Sequence, residues 1–79
     1  MKYVTAVVVN GKTIEHESDV AGLWDAVKEM GNILVGKGLL NPAFELRKNV
    51  CFSTPAVFYK DNYYLVFIRP SDKENWMII

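Results

Sequence analysis

The side chains able to do chemistry in this 79-residue chain are few: one cysteine, one histidine, a glycine-rich stretch ending in lysine, and a set of closely spaced aromatics. Cys51 and His16 would act as nucleophile and base if the fold brought them together. Cys51 sits in Val50-Cys51-Phe52, with no oxyanion loop or glycine-rich turn beside it, and this setting reads as a buried thiol. Glu15-His16-Glu17 is the one place where an imidazole and carboxylates adjoin. On a strand the two glutamates face one way and His16 the other, so the three do not converge on one ion. There is no second histidine to complete a metal site. Residues 31–37, GNILVGK, fit the opening of a phosphate-binding loop, but Gly38 follows where Ser or Thr would hold magnesium. The stretch also follows a helical pattern instead of a buried strand, and it reads as a glycine-rich helix end. The expectation is therefore no catalytic, metal or cofactor-binding residues and no cofactor.

The aromatics Phe58, Tyr63 and Phe67 resemble a platform on which bases stack. Only Lys60 and Arg69 flank them, and YYLVFI lacks the glycines of the RNA-recognition consensus. Nine basic and nine acidic residues cancel and are scattered along the chain, so there is no electrostatic footprint for nucleic acid or an anionic membrane.

These aromatics belong to residues 50–68, VCFSTPAVFYKDNYYLVFI, which read as two strands joined by a tight turn. With Asp61-Asn62 as a two-residue turn, Val57, Tyr59, Tyr64, Val66 and Ile68 share one face. Ala56, Phe58, Tyr63, Leu65 and Phe67 share the other. A three-residue turn would shift the pairing and still leave two apolar faces. A hairpin with one wet face alternates apolar with polar residues, and this one does not. Both faces call for cover.

The rest of the chain supplies cover for one. Asn10-Gly11 between VTAVVV and KTIEHE is a strong hairpin signal, and pairing across it puts Tyr3, Thr5, Val7, Val9, Ile14 and His16 on the core face. Ser18 or Asp19 is suited to cap a helix over about residues 20–35. Its apolar stripe is Val20, Leu23, Trp24, Val27, Met30 and Leu34, with Asp25, Lys28, Glu29 and Asn32 opposite. Asn41-Pro42 reads as the start of a short second helix over 43–48, ended by Asn49. After a loop at 69–75, Trp76-Met77-Ile78-Ile79 reads as a docking last strand. The expected fold is a single α+β domain, 1–79. It is an antiparallel sheet of about four to five strands in the order β-β-α-(short α)-β-β-β, with the helices on one face.

An apolar content of 51% against 23% charged describes a globular chain, and 79 residues is near the lower limit for folding without disulfides or metal. A lone cysteine, with no signal-peptide core or membrane span, points to the cytoplasm. The expected function is that of a small non-enzymatic interaction protein that self-associates as a homodimer, docks on a larger protein, or both, as an inhibitor, immunity or accessory protein does. The interface residues expected are Phe58, Tyr63, Leu65 and Phe67, since aromatics dominate interface energetics. The alternatives are a sheet-face binder of single-stranded nucleic acid and a small enzyme using Cys51 or His16.

Overall fold

The structure, a computed structural model, describes residues 1–51, 54–59 and 64–76, with side chains for 1–46 and 64–76. Strand β1 (Lys2–Val9) and strand β2 (Lys12–Asp19) pair antiparallel from Val9↔Lys12 to Lys2↔Asp19. Asn10 (φ 52°) and Gly11 (φ 78°) both lie in the left-handed region, as a two-residue type I′ turn requires. This register puts Tyr3, Thr5, Val7, Val9, Ile14 and His16 on one side, in agreement with the sequence.

Helix α1 (Leu23–Gly36) follows and packs on β1, β2 and the last strand. It starts later than expected, at Gly22, with no side-chain cap. Ser18 and Asp19 do not cap it because the ladder claims them: they pair with Tyr3 and Lys2, and Asp19 also holds the Met1 amino group at 3.3 Å. The exit is specified by Gly38 at φ 73°. The Leu39 amide bonds the Leu34 carbonyl (2.9 Å) and the Gly38 amide that of Val35 (3.0 Å), a Schellman closure that satisfies two carbonyls the helix leaves open. Ala26, Val27, Met30, Gly31 and Leu34 form the buried stripe. They meet Tyr3, Val7, Val9, Val66 and Ile68, with Leu40 closing one end.

The short second helix expected over 43–48 is absent; residues 45–51 are strand β3 (Glu45–Cys51). Asn41-Pro42 starts a turn instead. The Asn41 side chain accepts the Ala43 amide (2.8 Å) and its carbonyl accepts the Phe44 amide (2.9 Å). A helix of six residues repays little of its nucleation cost, whereas an extended chain here gains a ladder with strand β4 (Thr54–Tyr59). The register slips between Lys48 and Cys51, a bulge next to the connection.

Strand β5 (Tyr64–Pro70) pairs with β4 through Phe58↔Tyr64, Val57↔Leu65 and Ala56↔Val66. This register is one residue away from the one expected with Asp61-Asn62 as a two-residue turn, and the turn itself lies outside the described residues. β5 then pairs with β1, from Val7↔Val66 to Tyr3↔Pro70. The result is one antiparallel sheet in the order β2-β1-β5-β4-β3 with α1 on one face, a mixed α+β fold. Residues 71–76 form a loop, and the expected last strand falls largely on 77–79, outside the described residues. No described helix is long and apolar enough to cross a membrane.

Candidate functional site

The alternation of β1 divides its residues sharply. Val7 is fully buried beneath α1, while Val8 is 53% exposed on the opposite face. On that helix-free face the registers draw lines across three strands: Glu15–Ala6–Phe67 in one and Glu17–Val4–Arg69 in the next. A polar column on β2 thus borders an apolar column on β1 and a mixed one on β5.

The face is not bare throughout, which corrects the expectation that it lacks cover. Val4 and Ala6 are buried at 8% and 3% exposure. Part of the reason is the loop after β5, which folds back over the sheet. Arg69 organises it: Nη1 donates to the Lys73 carbonyl at 2.7 Å and, at 3.4 Å each, to those of Pro70 and Ser71. The same guanidinium lies 5.2 Å from the Trp76 ring centre, and Trp76 meets Phe67 at 6.4 Å with the rings tilted by 59°. Among the described residues, the end near the Asn10-Gly11 turn stays open, where Val8, Leu65 (46%) and Trp76 (36%) are exposed. Between them is a concavity of about 350 Å³ lined by Ala6, Val8, Thr13, Glu15, Phe67 and Trp76.

Of the four interface residues read from the sequence, Leu65 is exposed on this face and Phe67 is half-buried under Trp76. Phe58 holds the register position opposite Tyr64, whose ring packs on the core and whose hydroxyl donates to the Leu39 carbonyl (2.8 Å). The grouping of Phe58 with Leu65 and Phe67 therefore fails by the one-residue register difference; its side chain, and Tyr63 altogether, lie outside the described residues. Val8, Glu15 and Trp76, which line the concavity, were not among the residues expected there. The alternation of VTAVVV already put Val8 and Glu15 on the same outer face, so two of the three had a signal in the sequence.

The second place where chemistry is conceivable joins β2 to α1. His16 Nε2 donates to Glu29 Oε1 at 2.8 Å, and Ser18 Oγ donates to the same oxygen at 3.1 Å. These two donors, His16 first, hold the Glu29 carboxyl below its ordinary value near 4.5. Sequence periodicity had put Glu29 on the solvent side; it is instead half-buried at the helix flank. Serine, histidine and glutamate are together here, but in the wrong order for nucleophile activation. A relay needs serine on the histidine, whereas both groups end on one carboxylate oxygen. The arrangement is a clamp between an edge strand and the helix. His16 faces α1 while Glu15 and Glu17 face away, as strand alternation requires. Cys51 ends β3 by its backbone, its side chain being outside the described residues. Residues 31–36 are the last turns of α1, and the amides of Lys37, Gly38 and Leu39 are bonded to helix carbonyls, so they form no phosphate cradle. Among the described residues no three of His, Cys, Asp and Glu stand close enough to hold a metal ion. No protein-family model, no curated protein and no solved structure matches this chain.

Proposed function

We propose that this chain is a non-enzymatic interaction domain that works by laying the helix-free face of its sheet on another protein. The observation that carries the reading is the exposure of Val8, Leu65 and Trp76 together on one face. Exposed apolar side chains grouped in this way characterise docking surfaces. Glu15 and Glu17 on the same face oppose the phosphates of a nucleic acid, which weighs against the stacking-platform alternative. The lone Cys51 fits a cytoplasmic location.

A second copy is the simplest occupant, because two-fold pairing buries the same patch twice. The area limits how tight that dimer is. Five strands about 4.8 Å apart, with about seven residues each at about 3.3 Å, give a face of at most roughly 550 Å² before the part under the loop is subtracted, or at most roughly 1,100 Å² for two copies. This is the low end for specific interfaces, where transient complexes lie. Self-association is therefore weak and concentration-dependent. Light scattering from micromolar to millimolar protein tests it. The mean mass should climb from 9.0 kDa towards twice that value. A mass fixed at 9.0 kDa throughout removes the homodimer from the proposal.

A further inference from the structure

We infer that the concavity beside Trp76 receives a lysine side chain from a partner protein, presented by a segment whose neighbouring residues are apolar. This rests on the reading of the helix-free face as a docking surface and names the chemistry that the face selects. The line Glu15–Ala6–Phe67 puts the smallest side chain between a carboxylate and an aromatic ring. With strands about 4.8 Å apart, those two walls stand about 10 Å from each other, wide enough for one alkyl chain to lie over Ala6. Val8 and Trp76 close the remaining sides, giving about 350 Å³. That is near the lower end of the roughly 300–1,000 Å³ typical of ligand sites, and it suits a single side chain.

The lining is apolar except at its rim, where Thr13 and Glu15 stand. Glu15 makes no hydrogen bond or ion pair with the described residues. A group with an apolar stem and a cationic tip matches this pattern end to end: the stem runs past Trp76 and Val8, and the tip meets Glu15 on the opposite wall. Val8 and Leu65, exposed next to the concavity, would take the apolar neighbours of that lysine. Two of this chain's own cations on the same face are poorly placed to fill it. Arg69 is held by three backbone carbonyls and Trp76. Lys2 lies four residues along β1 from Ala6, about 13 Å away. The self-association this face allows is weak, so the lysine-bearing occupant is a different protein that competes with a second copy for the same surface.

The test uses two capped tripeptides, leucine-lysine-leucine and its counterpart with norleucine for lysine, which keeps the stem and removes the charge. Binding is followed by the shifts of the Trp76 indole and Ala6 methyl signals in NMR titrations of the full chain. The lysine peptide should bind about threefold more tightly than the norleucine peptide, the range of a partly exposed ion pair. The preference should vanish in Glu15→Gln and in about 1 M salt, where screening shortens to about 3 Å. Glu15→Gln changes a residue exposed on a strand and should leave the melting curve of the protein in place. Equal affinity for both peptides, or a preference that survives Glu15→Gln, overturns the lysine assignment while leaving the docking face intact. No shift at Trp76 or Ala6 with either peptide overturns the lysine assignment, and a mass that also stays monomeric removes the docking face. Loss of dimer in Glu15→Gln without peptide preference overturns the assignment in favour of a second copy as occupant.

Discussion

Placing a charge at two adjacent positions separates the two faces of the sheet within one strand. Val7 is fully buried against α1 and Val8 is 53% exposed on the other side. A domain of this length has a stability of about 4–12 kcal/mol, at roughly 0.05–0.15 kcal/mol per residue. Val7→Asp forfeits the burial of a valine, about 1.5–3 kcal/mol. It also forces a carboxylate out of water without a partner, which costs several kcal/mol more. The sum reaches most or all of the available stability, so this variant should be unfolded or nearly so. Val8→Asp loses at most half of a valine's burial, about 1 kcal/mol, and its carboxylate stays in water. Both changes carry the same strand-propensity cost of up to about 1 kcal/mol, which cancels in the comparison. Urea denaturation followed by circular dichroism measures the two, and light scattering then measures association. Val8→Asp should keep a cooperative transition shifted by about 1–2 kcal/mol and should no longer self-associate. Equal collapse of both variants would mean that Val8 is packed within the monomer, and the docking face would lose its basis.

The Glu29 clamp has a defined pH signature. Its folded carboxyl sits below the ordinary value near 4.5, so the native state binds fewer protons than the unfolded state once the pH falls to that range. The contribution is fully present above the unfolded value and is lost as the pH drops through the folded one. For a pair as exposed as this, it is below about 1 kcal/mol. Glu29→Gln should therefore lower the urea midpoint near pH 7 and cost progressively less towards pH 3; a deficit that does not change with pH would refute the clamp. The glycines at the end of α1 should respond oppositely to alanine. Gly38→Ala forces a side chain into φ 73° and should cost about 1 kcal/mol, although nothing lies within 4 Å of its added Cβ. Gly36→Ala fills open space at a helical position and should gain about 0.5–1 kcal/mol. Thermal melts distinguish the two, and an equal effect at both sites would contradict the Schellman closure.

What the sequence disclosed depended on how local each cause is. The β1–β2 hairpin was readable because Asn10-Gly11 alone sets its register. The stripe of α1 was readable because period 3.6 needs no knowledge of the rest of the chain. β3 was not, because Asn41-Pro42 serves a turn as well as a helix start, and the choice was made by β4, distant in sequence. Glu29 was misplaced for a similar reason: periodicity measures distance from the core stripe and is blind to an edge strand bringing His16 and Ser18 to the helix flank. Trp76 was expected in a last strand, whereas the Arg69 contacts that draw it over Phe67 exist only once the loop has closed.

The incomplete cover of the sheet follows from dimensions as much as from residue types. α1 has fourteen residues, so it is about 21 Å long and about 10–12 Å across. It can shelter two or three strands of the five on one face, and it contacts β1, β2 and β5. On the opposite face, among the described residues, the loop at 71–76 does the covering. Trp76 reaches Phe67 and shields the middle of β1, leaving Val8 and Leu65 beyond its edge. A second helix over 43–48 would have added cover, but those residues went to the sheet and enlarged the surface that needs it. Gaining β3 thus stabilises the ladder and leaves fewer residues to shield it. The exposed apolar side chains that remain on this face among the described residues are Val8, Leu65 and Trp76.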